Sequence, residues 1–502
     1  MSTSPERRRP FLPRESRRLR VADCIVVDKK SLIKAQIGAG VGNLMEWYDV
    51  GVYGYLAVTI TKVFTEGMDP KFGLLVTLLG FALTFLVRPI GGMILGPLGD
   101  KIGRRKIMFF TIGLMAACTF LIGCLPSAHT AGIWSVVLLY LLRMAQGFST
   151  GGEYSGALTY VAEFSPDRSR GFWTSLLNSG SMLGFALGAG VVAGTTSLTE
   201  SLSGDTAMVD YGWRIPFLFS LLLGIAAIAF RSHLDESPSF ELAKEKEETE
   251  ILDPLFQRQP LSQILRRYWP MILVGLALIS ADGASQYTLT SYMPTYLDTE
   301  VGIPPVHAAI ASVGVLILQA LLLPVFAGMS DRIGRRATYT MAAVTNLILL
   351  VPAFAIVQIG EIWSLYVALT LVMLPSTLFL CMNAAIMAEL YPTASRHGAV
   401  GFTQNLATSL FGGTVPLVAQ LLINLTGNSF APAFYVMFFS AVALVATFFM
   451  RESARRPLLG SVPVVMSVAE AEALVGGQDT NENIDTSTML LVPLPATTDD
   501  KA

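Results

Sequence analysis

The chain has 502 residues, 52% of them hydrophobic and 14% charged, against about 25% charged in a soluble domain. With a mean hydropathy of +0.55, this excludes an ordinary water-soluble protein and indicates a chain that crosses a membrane many times. The net charge of −2 says little by itself, because the charges are segregated by loop, and no nucleic-acid partner is expected.

Residues 1–34 form a polar, basic N-terminal arm without an apolar core. No secretory signal peptide is therefore expected, and the first span inserts as a mature helix. The arm holds seven arginines among residues 7–20. They read first as a topology signal and second as a patch for anionic lipid headgroups.

Apolar runs then predict twelve helices, at 35–61, 72–99, 107–126, 132–164, 171–196, 213–230, 268–297, 305–329, 337–359, 363–391, 398–425 and 431–450. A charged amphiphilic linker, 231–267, contains "ELAKEKEETEILDP" and separates helices 1–6 from 7–12. The tail, 452–502, shows no sustained heptads and reads as disordered. Counting Lys and Arg by loop places 30 on one side and only Lys62 and Lys71 on the other. That asymmetry puts both termini in the cytoplasm and fits an even number of spans.

The two sets of six helices repeat. "GDKIGRRK" at 99–106 returns as "SDRIGRR" at 330–336, and "AEFSPDRSRG" at 162–171 returns as "AELYPTASRHG" at 388–398, at offsets of 231 and 226 residues. The expected fold is all-α integral membrane, with two pseudo-repeated six-helix halves over 35–230 and 268–451. Such halves place a substrate cavity between them, near the midplane.

The first predicted helix contains "GNLMEWYDVGVYGYL", with Glu46 and Asp49 one turn apart. Each is costly in hydrocarbon. Glu46 lies about 16 Å into the helix by the α-helical rise, near the midplane, and positions 46, 49 and 53 are expected to share a face. Arg88, Glu153 and Asp282 reach similar depth, with Arg143 in the outer part of helix 4. Any one of these is explained by a structural ion pair, such as Glu46 or Asp49 with Arg88. The group is not, since four deep acids face two deep arginines. Desolvation favours the neutral form of a surplus acid, which can then carry a proton. Glu46 and Asp49 lead as proton-coupling candidates, followed by Glu153 and Asp282.

Aromatics cluster beside the acids: Trp47, Tyr48, Tyr53, Tyr55, Tyr154, Tyr287 and Tyr292. Such stripes are commonly packing, and rings also hold quaternary ammonium groups. An aromatic, acid-rich cavity with a few arginines suits a zwitterion. Arg88 or Arg143 takes the carboxylate, and Trp47, Tyr48, Tyr53, Tyr154, Tyr287 or the acids take the ammonium. A dicarboxylate carrier needs more midplane cations.

The repeated loops read as a gate as well as a topology signal. Asp100, Arg104 and Arg105 in the first copy, and Asp331, Arg335 and Arg336 in the second, combine acid, base and small residues in short helix connections. The second copy is the weaker match, with Ala327 replacing the leading glycine. Glu163 with Arg170 and Glu389 with Arg396 share a seven-residue spacing. They supply carboxylates to the basic clusters, closing the inner face by breakable salt bridges.

The loop motif resembles that of the major facilitator superfamily. "GNLMEWYDVGVYGYL", "LVRPIGGMILGPLGDKIGRRK" and "RMAQGFSTGGEYSGALTYVAEFSPDRSRG" are similar to its metabolite:proton symporter branch. Within that branch, "LGFALGAGVV", "LTSYMPTYL" and "ESARRPLLG" look most like the osmoregulatory proline/glycine betaine:proton symporters. The likeness runs over about residues 35–460. Asp282 departs from it, since that symporter type has an uncharged residue there. The resemblance implies proton-coupled import of a small zwitterionic compatible solute, such as proline, glycine betaine or ectoine, by alternating access across the cell membrane. Symport of a carboxylate metabolite of the 2-oxoglutarate, citrate or shikimate type is the alternative. No cofactor or metal is expected beyond the coupling proton, and a monomer suffices. An enzyme is not expected: no His/Cys metal cluster or phosphate-binding Gly-Lys loop occurs, and the four histidines, 129, 233, 307 and 397, fall in loops or at helix ends. The four cysteines are scattered and no disulfide is expected.

Overall fold

The computed structural model describes residues 18–102, 104–232, 261–481, 483–486 and 489, with side chains left out at 35, 96, 97, 99–102, 104–106, 108, 230–232, 261 and 394. Twelve membrane-length segments follow in chain order. In the first half these are α1 (Lys29–Tyr55, resuming after Leu56 as Ala57–Phe64), α2 (Pro70–Ile102), α3 (Arg104–Cys124), α4 (Ile133–Thr150, resuming as Glu153–Phe164), α5 (Arg170–Ser203) and α6 (Arg214–Ser232). The second half has α7 (Leu261–Tyr287, running on through wide turns to Val301), α8 (Pro305–Ile333), α9 (Arg335–Val357), α10 (Ile362–Leu390), α11 (Thr393–Ala407, resuming as Val415–Thr426) and α12 (Ala431–Phe449). Among the described residues, ten helices are long and apolar enough to cross a membrane by composition alone. The other two are α1, interrupted by its buried acids, and α3, whose apolar part is the shorter Phe109–Cys124.

Helix positions match the sequence reading, and the ends run further. α1 starts at Lys29 and α7 at Leu261, so residues 261–267 of the expected linker are helix. These first turns are polar. Hydropathy marks where the hydrocarbon ends, whereas the backbone ladder continues past it. The rest of that linker, 233–260, and the arginines at 7–17 lie outside the described residues.

Prolines shape the second half. The π turns Thr288–Tyr292 and Thr408–Gly412 stand just before Pro294 and Pro416. A proline ring clashes with the carbonyl four residues back, and a wider turn relieves it. In the first half, α2 and α4 nearly touch backbone to backbone. A Cβ on Gly147 would strike the Thr84 carbonyl, and one on Gly151 the Arg88 carbonyl. Small residues allow this approach where no hydrophobic force drives helices together.

The halves meet along α5 with α8 and α10, and along α11 with α2 and α4. Polar side chains tie this seam to opposite backbones. Ser179 donates to the Ala320 carbonyl at 2.9 Å, Asn178 to Leu380 at 2.8 Å and Ser409 to Phe85 at 2.6 Å. Buried among apolar helices, such donors need partners.

The tail departs from the expected disorder. Residues 452–481 fold back over the face that carries both terminal segments. Strand β1 (Ile25–Val26) pairs in parallel with β2 (Val464–Val465), and α13 (Val468–Gly476) follows. Ser467 caps α13 by accepting from the Glu470 amide at 3.2 Å, while Glu470 reaches back to the Met466 amide at 2.9 Å. Val27, Leu32 and Val464 bury against Phe164, Trp173 and Met466. A lone segment with so few apolar residues has no core. This one borrows its core from the arm and from α4 and α5.

Candidate functional site

A cavity of about 40 Å³, room for a few waters, lies between the halves. Its first-half wall carries Trp47 of α1, Arg88 of α2, Tyr154 of α4 and Asn178 of α5. Its second-half wall carries Asp282, Gln286 and Tyr287 of α7, Asn383 of α10 and Gln404 of α11.

The two walls differ in charge. On the first, Arg88 pairs with Glu46 at 2.9 Å, both buried, and its guanidinium lies 4.2 Å from the Phe85 ring centre and 5.7 Å from Trp47. On the second, Asp282 accepts from Asn383 at 2.5 Å. Gln286 accepts from Gln319 at 2.9 Å and from Ser376. Among the described lining residues, Arg88 is the sole cation.

The expected shared face of 46, 49 and 53 is corrected. Three helical residues fall short of a full turn by about 60°, which carries Asp49 off the cavity toward α3. There Thr119 donates to it at 2.6 Å, Gln146 donates to Thr119 at 2.6 Å, and Arg143 donates to Gln146 at 3.0 Å. Asp49 and Arg143 are thus linked through two neutral side chains inside the first half. Arg143 also sits 3.7 Å above the Tyr53 ring.

Of the seven expected substrate contacts, Trp47, Arg88, Tyr154 and Tyr287 line the cavity, and Arg143, Tyr48 and Tyr53 do not. The Tyr48 hydroxyl donates to the Pro216 carbonyl at 2.7 Å, and that of Tyr53 to Thr77 at 2.9 Å. Each anchors α1 to a neighbouring helix. Glu153 is half-buried where α4 resumes and lines no part of the cavity, whereas Asp282 does.

The terminal face brings the two halves' motif residues together crosswise. Arg170 pairs with Glu389 at 3.1 Å, and Arg396 with Glu163 at 2.8 Å, each joining one half to the other. Arg335 bridges Asp331 at 2.8 Å and Glu389 at 3.1 Å. Asp331 also accepts from the Gly171 and Phe172 amides at 2.9 Å each, so an acid of α8 caps the N-terminus of α5. The tail joins in: Ser453 donates to Glu389 at 2.6 Å, Arg170 to the Arg456 carbonyl at 3.1 Å, and Arg396 to Leu459 at 3.0 Å. The Arg336 amide donates to Glu452 at 3.1 Å, and its guanidinium lies 5.7 Å from the Phe448 ring. The side chains of Asp100, Arg104 and Arg105 lie outside the described residues.

A profile for sugar (and other) transporters matches residues 35–461. The chain belongs to that family of the major facilitator superfamily. It is 49% identical to the "Ectoine/proline transporter ProP" of Corynebacterium glutamicum over 97% of both chains. It is 37% identical to the "Proline/betaine transporter" of Escherichia coli strain K12 over 90% of both. Among solved structures, the proton:xylose symporter XylE bound to 6-bromo-6-deoxy-D-glucose superimposes with a TM-score of 0.65 at 18% identity, covering 89% of this chain and 99% of that one. The fold is therefore the twelve-helix major facilitator arrangement, and the protein is a multi-pass membrane transporter rather than an enzyme.

Sequence reasoning about this transporter missed the amides of the cavity: Asn178, Gln286, Asn383 and Gln404. It weighed charges and rings alone. A usable signal was present, since Gln319 stands 231 residues after Arg88, at the offset of the repeated loop motif. Where the first half has a guanidinium, the second has an amide. Asp167, Glu452 and Ser453 were missed at the terminal face. Asp167 pairs with Arg170 and accepts from the Val464 amide at 3.0 Å, and Glu452 accepts from the Arg335 amide at 2.8 Å.

Proposed function

We infer that the protein imports a small zwitterionic compatible solute, such as proline, ectoine or glycine betaine, together with protons by alternating access. One observation carries this reading: a cavity between the halves with Arg88 on one wall and Asp282 on the other. Among the described lining residues a dicarboxylate finds a single cation, already held by Glu46.

The pair Glu46–Arg88 supplies the coupling. Arg88 cannot serve Glu46 and a solute carboxylate equally, so a proton on Glu46 frees the guanidinium as the solute arrives. Its Nε and the Tyr287 hydroxyl, neither with a hydrogen-bond partner among the described residues, complete the carboxylate end. Proton and solute then occupy the site together and leave together. Asp49, through Thr119 and Gln146 to Arg143, is the second coupling candidate. Glu153 and Asp282 follow.

The crosswise pairs Arg170–Glu389 and Arg396–Glu163, with Asp331 and Arg335, form the inner gate. It opens when the halves part on the terminal face. The 30-to-2 distribution of Lys and Arg supports a cytoplasmic position for that face, in a protein of the cell membrane. A monomer contains the whole pathway, and the arginine-rich arm meets anionic lipid headgroups. The chain divides into the arm ahead of α1, the half α1–α6, the linker between α6 and α7, the half α7–α12 and the tail.

The test is uptake of labelled proline into proteoliposomes with glycine betaine, ectoine or 2-oxoglutarate as competitor. Competition by at least one of the zwitterions and not by 2-oxoglutarate is expected. Competition by 2-oxoglutarate alone defeats the reading.

A further inference from the structure

Three residues of the second-half wall carry buried acceptors that lack a donor among the described residues. Asp282 Oδ1, Asn383 Oδ1 and Gln404 Oε1 are buried and have no hydrogen-bond partner among the described residues. All three residues line the cavity, and they are 4%, 3% and 5% exposed. A buried oxygen left unpaired costs free energy, a carboxylate oxygen most of all. The repeat supplies no cation to meet them, because Gln319 occupies the position that corresponds to Arg88, and its amide is spent on Gln286 at 2.9 Å.

The rings nearby do not form an empty cage for a quaternary ammonium. Trp47 packs on Phe185 at 5.3 Å, on Tyr287 at 6.0 Å and on Tyr154 at 6.1 Å, and it also meets the Arg88 guanidinium. Its surfaces are taken by other rings and by a cation already present.

We propose that Asp282, Asn383 and Gln404 form a cation end of the transport site that selects solutes whose ammonium carries N–H bonds over solutes whose nitrogen is quaternary. An ammonium with two N–H groups satisfies two of the three oxygens directly and neutralises Asp282. A fully methylated nitrogen brings the charge and no donor, and it buries the same oxygens unpaired. This rests on the zwitterion reading above and narrows its solute class to secondary and primary ammonium compounds and cyclic amidines.

The matched series is proline, N-methylproline and N,N-dimethylproline, with two, one and no N–H groups on the charged nitrogen. Each competes against labelled proline in counterflow with full-length protein in proteoliposomes. Wild-type protein should prefer proline to N,N-dimethylproline by about tenfold or more, with N-methylproline between. In Asp282→Asn and Asn383→Leu the ratio should fall to within about threefold, as expected when the unpaired oxygens and not ligand size set it. Equal competition across the series in wild-type protein overturns the proposal, as does an undiminished ratio in both variants. The wild-type series stands if a variant does not fold. If no zwitterion competes and 2-oxoglutarate does, the underlying reading has failed. If proline and its dimethyl form compete equally, only this inference has failed.

Discussion

Glu46 and Asp49 stand one turn apart, yet they answer to different neighbours. Glu46 holds the cavity's guanidinium, while Asp49 is sealed behind Thr119. Their substitutions should therefore separate. Glu46→Gln keeps the shape and removes the titrating group, so proton-driven proline uptake should fall to near background while counterflow persists. Asp49→Asn retains a partner for Thr119 and should cost less uptake than Glu46→Gln. Both are read in the same proteoliposomes, and equal losses would place the coupling proton elsewhere. Arg170 is a stability matter as well as a gate residue, for it is wholly buried with Asp167 and Glu389. Arg170→Ala leaves two buried carboxylates without it and should cost about 3–5 kcal/mol, seen as a lower melting temperature in detergent. At this scale charge was the legible signal: Arg88 and Asp282 line the cavity and Glu46 pairs with Arg88. Depth and rarity marked Glu46, Arg88 and Asp282. Direction was not legible, because a 60° turn of a helix sends Asp49, and the anchoring of α1 sends Tyr48 and Tyr53, away from the cavity.

Among elements, the spans were legible because a hydrocarbon slab imposes its thickness on every helix that crosses it. The tail was not. Strands of two residues, Ile25–Val26 and Val464–Val465, have no period to detect, and what orders them is contact with α4 and α5. Removing residues 463–481 exposes Val27, Leu32, Phe164 and Trp173. The truncated protein should melt at a lower temperature, with faster proteolysis in residues 18–28; an unchanged protein would mean that the tail contributes nothing to the folded face. The α2–α4 seam is a second case. Gly151→Val forces the helices apart at Arg88 and should impair proline binding in counterflow, whereas the same change at Gly152, where a Cβ meets nothing, should be tolerated better.

For the whole molecule, the repeat was readable in two motifs, and the crosswise pairing of Arg170 with Glu389 and of Arg396 with Glu163 is its consequence. Two halves related by a near-twofold axis present the same acid and base to each other. The role of the second loop was not readable: although Ala327 replaces its leading glycine, its Asp331 caps α5. The cavity is small and ion pairs join the halves at the terminal face, so the proposed transport has the halves rock apart. The central claim is that proton and solute move together. Adding unlabelled proline to proteoliposomes without an imposed gradient, with a pH-sensitive dye outside, tests it directly. Alkalinisation of the medium should follow proline entry, saturate with proline and disappear in Glu46→Gln. Proline entry with no change in external pH would contradict it.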